Sequence, residues 1–306
     1  MINVFTRYKS LTINMDPCKD NYLLKVKLPF KVKSPIIIGK GVEPGLNIRE
    51  TVTIKIGDEG QYFIIPSTSL KGVFRKLTTT IAYKIANKLS QDLKKVIRSH
   101  DEDRLRHTIE NHSSLINDLY NKNKDIIDMI CYSKKNMSCY ELEKEDQATY
   151  VDLILSLYCP ICSLYGSRHY AGAITFKPVI IPFKEGAVDV RYHVAIDRKT
   201  RTKMEKALYM DHLMYYVDKI INIDFIVRDL EPDSLVAKLL ASTLEYISAS
   251  GLLIGGGKSI GYGLLELNKE DVVWSYRRYT SYNDYISPIT GKGLNTLLNL
   301  LRGNEA

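Results

Sequence analysis

No apolar run in this 306-residue chain approaches the roughly 18 residues a membrane-spanning helix requires. The opening MINVFTRYKS has no apolar signal-peptide core, so no secretory leader is expected. Internal repeats and low-complexity tracts are absent, which excludes solenoids and arrays. Cysteine is sparse at five residues. Without a secretory signal these are expected in a reducing, cytoplasmic interior, as free thiols or metal ligands before disulfides. Acidic residues are outnumbered, 35 Asp and Glu against 43 Lys and Arg, for a net charge of +8 and a pI of about 9.0. That balance favours a polyanionic partner.

What is present suits one large domain with insertions, or two domains. Hydrophobic residues make up 45% and charged residues 25%, ordinary values for a globular protein. The densest feature is GLLIGGGKSIGYGLLEL, Gly251 to Leu267, with five glycines between Gly255 and Gly263 around Lys258 and Tyr262. Such glycines let a backbone turn tightly or approach a ligand closely. The fragment GGGKS suggests a nucleotide-phosphate loop, but the G-x-x-x-x-G-K-[ST] pattern needs a glycine where Leu252 stands. It also needs a strand before and a helix after, and here the order is reversed. A P-loop is excluded.

Several segments read as strands. Asn21 to Pro29 alternates Leu24, Val26 and Leu28 against Lys25 and Lys27, the period of a half-buried strand. Pro35 to Gly45 reads as a loop containing Lys40, and Thr51 to Ile56 with Tyr62 to Ile65 as a hairpin. IPSTSLKGVFRKL then opens a helix capped by Ser67, Thr68 or Ser69. Its stripe runs continuously from Leu70 through Val73, Phe74, Leu77, Ile81, Ile85 and Leu89 to Leu93. Lys71 and Arg75, four apart, share a face in its first turns, either a solvated basic face or one side of an anion site.

Residues 99–165 read as a helical, cysteine-bearing insertion. Its cysteines continue the pattern C-x7-C-x19-C-x2-C through Cys131, Cys139, Cys159 and Cys162. Four thiolates in that arrangement can hold a tetrahedral zinc ion, with His107, His112 or His169 able to replace one; buried free thiols are the alternative. Ala173 to Phe183 is a strand interrupted by Pro178, and Arg191 to Lys206 is a basic loop or hairpin. Ile221 to Val227 is a strand, and Pro232 suits the first turn of a helix that stops near Gly251. The tail from Asp271 sets Trp274, Tyr276, Tyr279, Tyr282 and Tyr285 around Arg277 and Arg278, an amphipathic cover or a set of base-stacking planes. Without its insertions the chain reads β-α-β-β-α-β, an α+β, ferredoxin-like (RRM-like) core. The expected divisions are 1–98 and 166–268 for its two halves, 99–165 for the insertion, a thumb-like loop at 184–212, and 269–306 for the tail.

The motifs IPSTSLKGVFR, CPICSLYG, IDRKT and GGGKSIGYG, in this order, resemble the RAMP superfamily of CRISPR proteins. More narrowly they look like the guide-binding backbone subunits of type III effector complexes. The resemblance spans about Tyr22 to Leu267. It implies a ferredoxin-like core with a helical lid and a projecting thumb, and copies that polymerise along CRISPR RNA and kink its duplex with target RNA. Other RAMP subunits and a large subunit are the implied partners, and a zinc site occurs in the lid of some members. On that basis Lys40, Ser69, Lys71, Arg75, Arg198, Lys199, Arg201, Gly256, Gly257, Lys258 and Tyr262 are the RNA-facing residues.

One departure bears on catalysis. Backbone subunits that cut RNA carry an aspartate in the loop before their IPGSSLKG-like motif, whereas residues 39–50 here contain only Glu43 and Glu50. Glu50 is the remaining candidate for binding or orienting a divalent cation. Precursor-processing relatives use a histidine early in the chain, and the first here is His100. The expectation is a non-catalytic guide-binding subunit. The alternative is a metal-dependent endoribonuclease that cleaves target RNA or processes CRISPR precursor RNA.

Overall fold

The computed structural model describes residues 21–39, 48–55, 60–101, 106–107, 113–122, 124, 127–128, 131, 138–168, 171–183, 188–197, 199–279 and 288–304. In chain order, β1 (Asn21–Val32) is followed by β2 (Ile48–Glu50), β3 (Thr53–Lys55) and β4 (Gln61–Ile65). Helix α1 (Ser67–Ile85) comes next, then α2 (Gln91–Arg98), the two-residue strands β5 (His100–Asp101) and β6 (Arg106–His107), and α3 (Ser113–Lys122). The insertion continues with α4 (Cys139–Glu145), α5 (Gln147–Tyr158) and α6 (Pro160–Tyr165). Strands β7 (Ile174–Phe176), β8 (Val179–Pro182), β9 (Val188–Ile196), β10 (Lys203–Met214) and β11 (Ile220–Arg228) lead to α7 (Leu235–Ser250). After it come β12 (Leu252–Leu253), β13 (Leu264–Leu267), β14 (Val273–Tyr279), β15 (Ile289–Lys292) and α8 (Leu294–Leu301).

Strand β1 forms the centre because its alternation gives it one apolar face. Leu24, Val26, Leu28, Phe30 and Val32 are buried, while Lys25, Lys27 and Lys31 are exposed. Along one edge β11 runs antiparallel, from Leu23 opposite Arg228 to Lys31 opposite Ile220. The other edge is shared, β13 pairing with Phe30 to Val32 and β14 with Asn21 to Lys27. With β7 outside β11, the order β13-β1-β11-β7 is the ferredoxin-like sheet the sequence predicts. Helices α1 and α7 cover its apolar face. Phe74 of α1 meets Phe176 and Phe225 at centroid distances of 4.9 and 6.2 Å, and Thr78 shares a 2.8 Å hydrogen bond with Thr243 of α7. Among the described residues, no helix is long and apolar enough to cross a membrane.

Four elements differ from the expected reading. Helix α1 stops at Ile85, and a 3-10 turn over Ala86–Lys88 separates it from α2, so the apolar stripe is broken before Leu89. Its N-cap position is held by Pro66, and no side chain caps it. Ala173 to Phe183 divides at Lys177-Pro178. Proline has no N–H to donate, so β7 stays in the main sheet while β8 turns away to pair with β4. Pro232 lies before α7, whose cap is Ser234; its hydroxyl accepts from the Ala237 N–H at 3.2 Å. In the tail, Trp274 and Tyr276 are buried on a strand that extends the sheet, so these two rings are core and not stacking planes. Tyr282 and Tyr285 lie outside the described residues.

Candidate nucleic-acid interface

The first turn of α1 contains no acid and no side-chain cap, so its leading N–H groups keep their partial positive charge. Ser69 in this turn and Lys71 just after it are half-buried. Burial and the nearby Arg75 guanidinium hold the Lys71 ammonium below its ordinary pKa. Arg75 itself departs from the expectation. It is buried, with one Nη donating to the Gly166 carbonyl at 3.0 Å and the other 3.1 Å from His100 Nε2 and 3.8 Å from Cys162 Sγ. Arg75 therefore ties α1 to the insertion, and the face it shares with Lys71 is not a solvent face throughout. Thr78 extends that tie through a 2.8 Å bond to the Tyr165 hydroxyl.

The glycine-rich loop runs beside α1. Burial, and then the like charge of Lys76 on α1, hold Lys258 below its ordinary pKa. The loop is fastened to the segment after β1, since Gly256 N–H donates to Ile37 O at 2.9 Å and Gly263 N–H to Pro35 O at 2.8 Å. Two glycines are required here. Gly255 and Gly263 both have positive φ, and a Cβ on either would overlap a backbone carbonyl oxygen, that of Ile37 or of Ile254. Gly256 has ordinary φ, and a Cβ there would make only an ordinary contact with Ile37 Cγ2 at 3.5 Å, while Gly257 turns over the Tyr262 ring. Tyr262 also departs from the expectation. It is 2% exposed, and its hydroxyl lies 3.2 Å from His193 Nε2, partway along the β9–β10 hairpin. The same His193 nitrogen is 3.0 Å from the fully buried Asp211, so Tyr262 anchors the loop to the hairpin instead of facing outward.

That hairpin falls on the expected thumb-like segment, where a basic loop or hairpin is expected, and it consists of two long strands. Val188, Val190, Tyr192, Val194 and Ile196 form an exposed apolar stripe along its outer strand β9. At its tip Asp197 accepts from the N–H groups of Lys199 and Thr200, and Lys199 and Arg201 are exposed. Arg201 takes a positive φ of 57°. Strand β2 lies parallel to β10 with Glu50 opposite His212, which sets the backbone of the catalytic candidate beside the hairpin base. Lys40, Arg198, His112 and His169 lie outside the described residues.

The four cysteines form two pairs. Cys131 and Cys139 are joined as a disulfide, contrary to the expected preference for thiols or metal, and Cys159 and Cys162 are buried thiols. Burial pushes the Cys159 thiol up. Hydrogen bonds from the Cys162 thiol and from the N–H groups of Cys162 and Ile161, with the Arg75 charge, outweigh that and leave it below its usual value. Among the described residues no group of three or more His, Cys, Asp or Glu is gathered as a metal site. With Cys131 and Cys139 bonded to each other, Cys159 and Cys162 are the two of the four expected donors that stand as thiols.

Lys76, His193 and Asp211 are the residues sequence reasoning missed. Lys76 was legible as a third cation on α1. The pairing of His193 with Asp211 depends on the hairpin register and leaves no local signal. An antiparallel sheet backed by two helices, with cations at one helix N-terminus and a glycine-rich loop beside it, defines the class as ferredoxin-like α+β. The sequence profile of the RAMP superfamily matches residues 29–266, and the chain belongs to that superfamily. Its members are CRISPR-associated RNA-binding proteins that act with other CRISPR-associated subunits. A search of curated proteins found no match.

Proposed function

We propose that this protein is a guide-RNA-binding backbone subunit of a type III CRISPR effector complex, binding CRISPR RNA without cutting it. The observation that carries the reading is the crowding of cations around the α1 N-terminus and the glycine-rich loop. Lys71, Lys76 and Lys258 have no ion-pair partner among the described residues, and two of them are held below their ordinary pKa. Like charges brought together without acids, beside an uncapped helix start, are stabilised when a phosphate arrives. The thumb supports the same reading. Its exposed apolar stripe and basic tip suit contacts with the splayed bases of a guide–target duplex and with a neighbouring copy.

The test compares two variants. Lys71→Ala with Lys258→Ala removes two phosphate contacts and should weaken binding of single-stranded RNA alike for all sequences, lowering its salt dependence by about 0.7 per contact. Arg75→Ala should instead reduce stability, by about 1–3 kcal/mol for each buried partner left unpaired, as read by denaturant unfolding. RNA affinity unchanged in the double lysine variant would contradict the proposal. Incubation of the wild type with guide-complementary RNA and Mg²⁺ or Mn²⁺ completes the test. Cleavage abolished by Glu50→Ala would replace this reading with the endoribonuclease one.

A further inference from the structure

The face of the sheet opposite α1 and α7 has no element over it among the described residues. The strand registers place Lys25, Lys27, Arg228 and Arg277 on it together. Leu23 stands between Arg228 on β11 and Arg277 on β14, with Lys25 and Lys27 in the next rows of β1. Rows on one face are about 7 Å apart and neighbouring strands about 4.8 Å, so the four cations share a patch roughly 10 by 14 Å. None of them has an ion-pair partner among the described residues, whereas Lys31, Lys33 and Lys292 on or beside the same sheet are paired with Asp218, Glu266 and Asp271.

A groove of about 270 Å³ opens at the Lys25 and Lys27 end of this patch, lined by Lys25, Lys27, Lys177, Asp224, Ile226 and Val273 among others. Its centre is apolar, with Val273 47% exposed, and its rim is cationic. One carboxylate oxygen of Asp224, Oδ1, is buried at the groove with no hydrogen-bond partner, while its other oxygen is 3.7 Å from Lys177 Nζ. That oxygen needs an N–H or O–H donor from outside.

We infer that this open sheet face docks an acidic segment of a partner protein, with an apolar side chain in the groove and its carboxylates on Lys25, Lys27, Arg228 and Arg277. An apolar centre inside a charged rim is the anatomy of a protein interface. A peptide N–H satisfies Asp224 Oδ1, whereas a phosphate is repelled by it. The surface is separate from Lys71 and Lys258, so the inference goes beyond the guide-binding proposal and does not depend on it.

The experiment uses the full chain and two fluorescent probes, a peptide of alternating glutamate and leucine and a uridine homopolymer RNA. Lys25→Glu with Arg277→Glu, and separately Val273→Asp, should each lower peptide affinity about tenfold or more. Lys84→Glu with Lys88→Glu, an equal charge change on exposed positions of the helical side, should lower it less than about twofold. Peptide binding that is absent, or that falls equally in the control, overturns the inference. RNA affinity lost selectively in Lys25→Glu with Arg277→Glu would assign the face to nucleic acid, and also overturns it.

Discussion

The ammonium groups of Lys71 and Lys258 titrate below the usual lysine range, Lys71 through burial and Arg75, Lys258 through burial and Lys76. A bound phosphate favours the charged form and raises both values again, so the RNA complex holds its protons more tightly than the free protein. By linkage, RNA affinity should fall as pH rises through the depressed values towards 10.5. Folding carries the opposite sign, because the unfolded chain keeps the ordinary pKa, binds more protons in that window and loses stability relative to the fold as pH rises. Fluorescence titration of RNA at several alkaline pH values checks the first sign, with Lys71→Ala and Lys258→Ala as the flattened reference. A flat profile in the wild type would place the two ammonium groups away from RNA. At this scale the sequence was half legible. A spacing of four sets Lys71 and Arg75 on one helix face, but only the packing of the insertion against α1 decides that Arg75 is inside.

The glycine-rich loop shows what can and cannot be read from an element. Its density announces close backbone approach, yet not which backbone is approached. The partners are the segment after β1 and the loop's own start at Ile254, so the glycines serve the turn into β13 and the fastening of the loop. Gly263→Ala should therefore destabilise the fold by at least the roughly 1–3 kcal/mol of a strained positive φ, since its Cβ would also overlap the Ile254 carbonyl. Gly256→Ala meets only Ile37 Cγ2 at 3.5 Å, an ordinary contact, and should unfold like the wild type. Equal losses at the two positions, measured by thermal or denaturant unfolding, would contradict this division. The split of Ala173 to Phe183 was announced by Pro178, and the end of α1 at Ile85 by no proline or glycine at all. The parallel seat of β2 beside β10 joins segments some 160 residues apart, as the hydrogen bond from Thr51 to the His212 carbonyl shows, and no local pattern records it.

Across the whole molecule, the order of elements carried the fold. Alternation in β1 and β11 and the apolar stripes of α1 and α7 are enough to predict a ferredoxin-like sheet, and the insertions leave that order intact. The tail's strand β14 was not legible, because Trp274 and Tyr276 look alike as core and as stacking rings until the register on β1 is known. The assembled protein presents two basic surfaces on opposite sides of one sheet. The helical side, at the α1 N-terminus and the glycine-rich loop, is the one assigned to guide RNA. The most direct measurement is the affinity of the full chain for two unrelated single-stranded RNAs between about 50 and 200 mM salt. Binding should be nearly equal for the two sequences and fall with a log–log slope of about 0.7 per phosphate contacted, reduced when Lys71 and Lys258 are alanine. Tight binding of one sequence only, unchanged by salt, would contradict a guide-binding backbone subunit.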